Sequence, residues 1–278
     1  MVVAIAHELE GEWPLLVRRV LYVAYEQGLY TDKRQGSYDS VGNFLGRARR
    51  AGLLSWDAVA DTVESVNPIV YDGPEDFGKS LVRLAQRYRE DRQAGQPVRL
   101  VAWSEHRGLL QTLGVTANES GVPIIAGGGC DSHTTRYNFA REAALYAEER
   151  DWPTVVLHLG DYDWYGHNIV NVLYEDLPLL AEGLTDARPG GMPPVTVERI
   201  ALTREQIIEH HLRREDEEDD GGVQVDALPT PVLRAILTDA IESRSDPTIR
   251  AAALEREDTA REHIAVRLDA WIADGGLS

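Results

Sequence analysis

The sequence predicts an α/β protein in which a small helical domain comes first, a parallel sheet follows, and further helices come last. From about residue 97 onward, short continuous apolar runs alternate with helical patterns, as in a parallel sheet that is covered on both faces. The preceding residues carry only helical patterns. The change of rhythm therefore predicts a domain boundary.

The N-terminal part predicts two helices. The Trp13-Pro14 pair suits the start of the first helix, because proline is favoured at the first helical position, and apolar residues recur at helical spacing up to Gly28. The second helix covers residues 40–51, with apolar residues on one face and arginines on the other. A domain of this size and rhythm is typical of a winged helix.

The charge of this part differs from that of the whole chain. The chain has a formal net charge of −18 and a strongly acidic run at 215–220, whereas residues 13–50 contain seven basic and three acidic residues. Arginine and lysine supply most of the affinity for phosphate, so we expect DNA contact through this segment, which by itself is net positive. The predicted DNA-binding residues are Arg18, Arg19, Arg47, Arg49 and Arg50.

The remaining elements follow from the alternating rhythm. The predicted strands are 98–103, 122–126, 154–159 and 195–201, and the predicted helices are 107–118, 134–150, 166–184, 231–244 and 248–272. The predicted layout is a winged-helix-like domain at 1–75, a linking helix at 76–96, a sheet domain at 97–205, and an acidic loop with C-terminal helices at 206–278.

Acidic residues follow two of the predicted strands. Glu105 and His106 come after the first strand, and Asp161 and Asp163 come after the third. In a parallel sheet such residues meet at the carboxyl edge, where the functional crevice lies. Carboxylates suit a hard cation such as Mg²⁺, which neutralises charge in phosphoryl transfer. Because the carboxylates repel each other, we also expect Asp161→Ala to abolish Mg²⁺-dependent activity while leaving folding intact or improved.

A purely structural interpretation of the Asp-x-Asp segment stays open. An aspartate after a strand often caps the next helix, and Gly160 and Gly166 suit a tight turn. Composition argues more strongly against cysteine-based sites and a membrane location. The single cysteine, Cys130, excludes an intramolecular disulfide and a cysteine-rich zinc site. Without a long apolar run or a basic leader, we expect a cytoplasmic protein with no membrane segment.

Three segments together resemble the Toprim domain. HLGDYDWYGHNI is similar to its strand ending in Gly-Asp-x-Asp, LVAWSEHRGLL to its paired strand ending in glutamate, and IIAGGGCDSHT to its glycine turn. The resemblance implies a Rossmann-like parallel sheet and action on the phosphodiester bonds of nucleic acid. It also implies a Mg²⁺ site at Glu105, Asp161 and Asp163, with Asn168 at the end of the loop.

The N-terminal part extends the resemblance to the A subunits of type IIB topoisomerases and the related meiotic double-strand-break transesterases. PLLVRRVLYVAYEQGL is similar to their tyrosine segment, which aligns Arg18 with the family's arginine and Tyr22 with its nucleophile. This implies DNA cleavage by transesterification. Since one tyrosine cuts one strand, it implies a homodimer, and since the sequence has no Walker A loop, ATP-driven steps would need a separate ATPase subunit.

The sequence departs from the family pattern beside the acidic motif. His106 stands where the family has lysine, and Trp164-Tyr165 replace a proline and a small residue. Asn168 replaces an acidic residue, which should lower metal affinity because an amide adds no charge. Two alternatives therefore stay open. One is a hydrolytic Toprim nuclease in which Glu105 or His106 accepts the proton, and the other is a weakly active or inactive DNA-binding scaffold regulated by a partner.

Overall fold

The computed structural model describes residues 1–59, 68–126, 133–185, 193–213 and 222–276. The predicted glycine turn at 127–132 and the acidic run at 215–220 lie outside these residues. The chain divides into two compact units. The first comprises Met1–Thr62 with Val98–Ser243, and the second comprises Val63–Pro97 with Arg244–Ser278.

Strands and helices alternate between residues 99 and 209, as the apolar pattern predicts. The helices are α1 (Val2–Glu8), α2 (Val17–Glu26), α3 (Gln35–Arg50), α4 (Pro74–Ala85), α5 (Gly108–Ser120), α6 (His133–Arg150), α7 (Trp164–Glu182), α8 (Arg204–Glu209), α9 (Thr230–Glu242) and α10 (Pro247–Ala273). The strands are β1 (Arg99–Ser104), β2 (Ile124–Ala126), β3 (Thr154–Leu159) and β4 (Val195–Ala201).

The four described strands pair in parallel in the order β2-β1-β3-β4. The predicted α/β class with a parallel sheet is therefore confirmed. The strands β3 and β4 have the predicted bounds, and the helices α5, α6, α7, α9 and α10 begin and end within two residues of prediction. The short helices α1 and α8 were not predicted, because neither is long enough to repeat an apolar pattern.

The sheet is covered on both faces, and β1 shows how. Leu100 and Ala102 belong to a buried cluster that includes residues of α5 and α9. Val101 and Trp103 belong to a second cluster with α6 and α7, where the Trp103 ring meets Phe139 edge-on at 5.2 Å. Because both clusters close over the strands, the carboxyl edge of the sheet is where polar side chains can gather.

The helices α1, α2 and α3 share a core of their own, which includes Ile5, Leu21 and Leu45. The predicted start of α2 at Pro14 is wrong. Leu15 is extended: its N–H donates to the Ala58 carbonyl at 2.9 Å, and it forms a parallel bridge with Val59, so the helix begins only at Val17. In the described residues 1–59 this bridge is the one strand-like pairing.

The second unit is built around α4 and α10. Glu257 is fully buried and pairs with Arg92 Nη2 at 2.8 Å and with Arg261 Nη2 at 3.1 Å. The helix in the segment predicted as a linker ends at Ala85 rather than continuing to residue 96. Among the described residues, no helix is both long enough and apolar enough to cross a membrane.

Candidate active site

The carboxyl ends of β1 and β3 bring Glu105 and Asp161 together. Both side chains are buried, and the Asp161 N–H donates to Glu105 Oε2 at 3.4 Å. Gly160 makes this approach possible, because a Cβ there would lie 1.9 Å from Glu105 Oε1. The two strands run in register at Ser104 and Leu159, so their ends lie side by side.

His106 is held by Asp161. Its Nε2 lies 3.0 Å from Oδ1 and 2.9 Å from Oδ2 of Asp161, and the Val225 N–H also donates to Oδ1 at 2.8 Å. Burial alone would lower the pKa of His106, but the hydrogen bond and the charge of Asp161 raise it above its usual value. The contact with Asp161 therefore favours the protonated form of His106.

The surroundings of Glu105 disfavour its charged form. Burial, and next the charge of Asp161, raise the pKa of Glu105 to about 7. Its Oε1 has no hydrogen-bond partner among the described residues, although His158 Nε2 lies 3.4 Å away. Burial and the charge of Arg199 lower the pKa of His158 to about 3, so this imidazole is neutral. Glu105 therefore changes its charge near neutral pH.

This pKa predicts a stability change with pH. In the folded state Glu105 holds its proton up to about pH 7, whereas the unfolded chain loses it near pH 4.5. The group therefore favours the folded state at low pH, and that contribution is lost as pH rises towards 8, by about 1–3 kcal/mol. Urea unfolding at pH 5, 6, 7 and 8 in the presence of a chelator measures it.

Glu105→Gln isolates the effect, since the amide mimics the protonated acid. The variant should be more stable than wild type at pH 8 and should show a smaller decrease between pH 5 and 8. Glu149→Gln, at an exposed position of α6, serves as the control and should follow wild type. Identical slopes for wild type and Glu105→Gln would contradict the raised pKa.

The contacts of Asp163 and Asn168 differ from those of Glu105 and Asp161. Asp163 Oδ1 accepts the Gly166 N–H at 2.6 Å and so caps α7, as the structural interpretation of the motif expects. Asn168 is exposed on the same helix. In the part of the chain that the structure describes, no group of three or more histidine, cysteine, aspartate and glutamate side chains is arranged to hold a metal ion.

Arg199 supplies positive charge at the same edge. It comes from β4 and donates to the backbone carbonyls of Gly160, at 3.2 Å, and of Asp161. Although burial lowers the pKa of Arg199, the charges of Glu105 and Asp161 act in the opposite direction. The arginine therefore partly compensates the carboxylates.

A cavity of about 370 Å³ lies beside His106, between the loop after β1 and the N-terminal helices. Its polar lining consists of Arg18, Tyr22, Lys33, Gln35, Tyr38, His106, Arg107 and Asp226. Tyr22 is only 2% exposed, and Arg18 hydrogen-bonds its side chain while interacting with the charges of Asp226 and Asp161. Lys33 Nζ lies 4.4 Å from the centre of the Tyr22 ring. The cavity thus joins the predicted tyrosine to the Asp161–His106 pair.

The other predicted DNA-binding arginines divide into two groups. Arg19 pairs with Glu12 at 3.1 Å, and Arg49 lies 5.1 Å from the centre of the Trp56 ring. Arg47 and Arg50 are exposed on α3. The first two side chains are therefore committed to contacts within the chain, and the exposed pair can meet a ligand without losing one of these contacts.

Sequence reasoning missed Asp226, Arg199 and Lys33. Asp226 is 7% exposed, its Oδ1 has no hydrogen-bond partner among the described residues, and burial raises its pKa. The sequence did contain a signal for two of them, because each is a charged residue in a run with several apolar residues. Asp226 stands in VQVDAL and Arg199 in VTVERIA. A charged residue in a buried element needs a partner or a function. For Lys33 the sequence offered no comparable signal.

No protein-family model matches the chain, and no curated protein matches it either.

Proposed function

We propose that this chain is a Mg²⁺-dependent Toprim-type protein that cleaves DNA by transesterification, with Tyr22 as the nucleophile. One observation carries the proposal. Tyr22 and His106 line the same cavity, and His106 hydrogen-bonds Asp161 at the carboxyl edge of the sheet. A single imidazole therefore links the candidate nucleophile to the candidate metal site.

Glu105, Asp161 and Asp163 would hold the Mg²⁺. The buried Oε1 of Glu105, which lacks a hydrogen-bond partner among the described residues, fits a hard cation, and two further carboxylates follow the neighbouring strand. To bind the ion, Asp161 and Asp163 would each have to share or lose a hydrogen bond that the side chain now makes. The exposed Asn168 would contribute least. When bound, Mg²⁺ would stabilise the charge that develops on the phosphoryl oxygens.

The chain's own residues have distinct tasks in this proposal. The phenol oxygen of Tyr22 forms a bond to phosphorus, and the bond to the leaving oxygen breaks. Arg18 orients the phenol through its hydrogen bond and presents positive charge to the phosphate. His106, which lines the cavity with Tyr22 and whose pKa is raised by Asp161, is suited to accept the phenol proton and to pass it to the leaving oxygen, while Glu105 stays a metal ligand.

Partners follow from the same proposal. The α1–α3 core would serve as the winged-helix-like DNA-binding domain. Cutting both strands of a duplex needs two tyrosines and hence a homodimer, and ATP-driven strand passage needs a separate ATPase subunit.

A covalent adduct is the decisive product. Wild-type protein is incubated with end-labelled DNA, with Mg²⁺ or with a chelator, and denatured in detergent before electrophoresis. A labelled band at the mass of the protein, formed only with Mg²⁺, is the expected result. Cleavage without an adduct would contradict the tyrosine mechanism.

Two observations favour other candidates. Tyr22 is almost fully buried, which favours a hydrolytic Toprim nuclease, because a water molecule reaches a phosphate more readily than a buried phenol does. Asp163 is already used as a helix cap and Arg199 already compensates the acidic pair, which favours a weakly active or inactive DNA-binding scaffold. Mg²⁺-dependent cleavage of DNA by the wild-type protein would favour the hydrolytic nuclease over the scaffold.

DNA binding through α3 predicts a salt dependence. Replacing Arg47 and Arg50 with alanine should weaken binding and reduce the slope of log affinity against log salt by about 2, because each phosphate contact to duplex DNA releases about 0.9 of a counterion. All sequences should weaken alike, since phosphate contacts carry no base information. Anisotropy titrations at several salt concentrations measure the slope.

The matched control is Arg141→Ala/Arg267→Ala, which also removes two exposed arginines but leaves α3 unchanged. It should keep the wild-type slope. An equal loss of slope in both double variants would mean that general charge, rather than α3, determines binding.

A further inference from the structure

Two exposed aromatic side chains directly follow the acidic motif. Trp164 is 75% exposed and Tyr165 is 66% exposed, and their ring centres lie 5.4 Å apart at 85°. They begin α7, whose cap is Asp163. Single exposed apolar residues are common on proteins, but two large adjacent rings beside a candidate active site form a surface suited to contact a ligand.

The cavity lined by His106, the hydrogen-bond partner of Asp161 in this motif, is positively charged. Arg18, Lys33 and Arg107 outnumber the single carboxyl group of Asp226 in its lining, although the chain as a whole has a formal net charge of −18. Its volume of about 370 Å³ is near the lower end for small-ligand pockets, which span roughly 300–1,000 Å³. It can therefore admit about one nucleotide, and it is too small for a base-paired duplex.

These features match how proteins bind single strands. Such proteins combine a positively charged path for the backbone with aromatic side chains on which unpaired bases stack. A base in a duplex has its faces covered by its neighbours, so exposed rings gain little from a fully paired substrate. The cavity provides the charge, and Trp164 and Tyr165 provide the rings.

We propose that the site takes nucleic acid as an unpaired strand, with a backbone phosphate in the cavity and bases stacked on Trp164 and Tyr165. The inference rests on the proposed function, and it adds that the substrate is single-stranded or locally melted at the site. In the sequence, Trp164-Tyr165 replace the proline and the small residue of the Toprim pattern. Stacking on bases would explain this replacement.

Binding without cleavage tests the proposal. Anisotropy of an end-labelled single-stranded oligonucleotide is compared with that of the same sequence as a blunt duplex, in a chelator so that the Mg²⁺-dependent reaction cannot proceed. The single strand should bind more tightly. Trp164→Ala and Tyr165→Ala should each weaken single-strand binding about 5- to 150-fold, which corresponds to roughly 1–3 kcal/mol per stacked base.

Matched controls remove aromatic rings elsewhere. Tyr137→Ala on α6 and Trp271→Ala on α10 replace side chains that are 43% and 44% exposed, and both should bind the single strand as wild type does. Trp164→Phe should keep most of the affinity because a ring remains. Thermal unfolding confirms that each variant is folded, which is expected because the rings are exposed.

Two outcomes would overturn the inference: tighter binding of the blunt duplex than of the single strand, or unchanged single-strand binding in both Trp164→Ala and Tyr165→Ala. Failure of the proposed reaction is distinguishable. If wild-type protein never cleaves DNA with Mg²⁺ but loses single-strand affinity when either ring is removed, the binding inference stands and the transesterification fails.

Discussion

Tyr22→Phe should abolish the covalent protein–DNA adduct and reduce strand cleavage by at least about 10³-fold, because the variant keeps the ring but lacks the attacking oxygen. Folding should suffer little. The lost hydrogen bond to Arg18 is expected to cost about 0.5–1.5 kcal/mol of unfolding free energy. Detergent-resistant adduct, total cleavage and urea unfolding are measured on the same preparation.

Tyr25→Phe provides the matched control. Tyr25 lies on the same helix, is 3% exposed, and has Lys33 Nζ 4.9 Å from its ring centre, so the two tyrosines have similar surroundings. The control should retain both adduct and cleavage. Undiminished cleavage by Tyr22→Phe would exclude Tyr22 as nucleophile and favour the hydrolytic alternative.

Asp161→Ala should both abolish Mg²⁺-dependent activity and destabilise the fold by about 2–4 kcal/mol. The Asp161 carboxylate accepts the buried Val225 N–H and balances the charge of His106, so its removal leaves two groups without their partner. Urea unfolding measures the loss of stability. Wild-type stability in this variant would mean that the hydrogen bonds of Asp161 contribute little.

Asp163→Asn separates metal binding from structure. Asparagine caps a helix about as well as aspartate, so the bond to the Gly166 N–H and the stability should be kept while one negative charge is lost. If Asp163 is a ligand, added Mg²⁺ should raise the melting temperature of wild type but much less that of the variant. Equal shifts would mean that Asp163 is a cap and no more.

The sheet was predictable mainly because its central strands, β1 and β3, are buried at every position. The run in β3 reads directly as a parallel strand between helices, whereas three of the seven residues of β4 are polar. The start of α2 was not predictable, because the extended backbone at Leu15 depends on pairing with a residue more than forty positions away. Distant pairing leaves no local pattern in a sequence.

The site residues also differ in whether the sequence could predict them. Glu105 and Asp161 could be found because each follows a strand, and neighbouring strands end together. Asp226 approaches from a turn after the sheet, and no spacing rule connects it to His106. The expectation that Asp161→Ala leaves folding intact considered only repulsion between carboxylates. The hydrogen bond from Val225, which only the folded chain reveals, reverses that expectation.

The two glycines of the acidic loop limit how this protein can diverge. A methyl group at position 160 would lie 1.9 Å from Glu105 Oε1, and one at position 166 would lie 2.1 Å from the Asp161 carbonyl oxygen. Trp164 and Tyr165, between them, are exposed and meet no such steric limit. Chains that descend from a common ancestor with this one should therefore keep both glycines, which gives a short signature for recognising distant relatives.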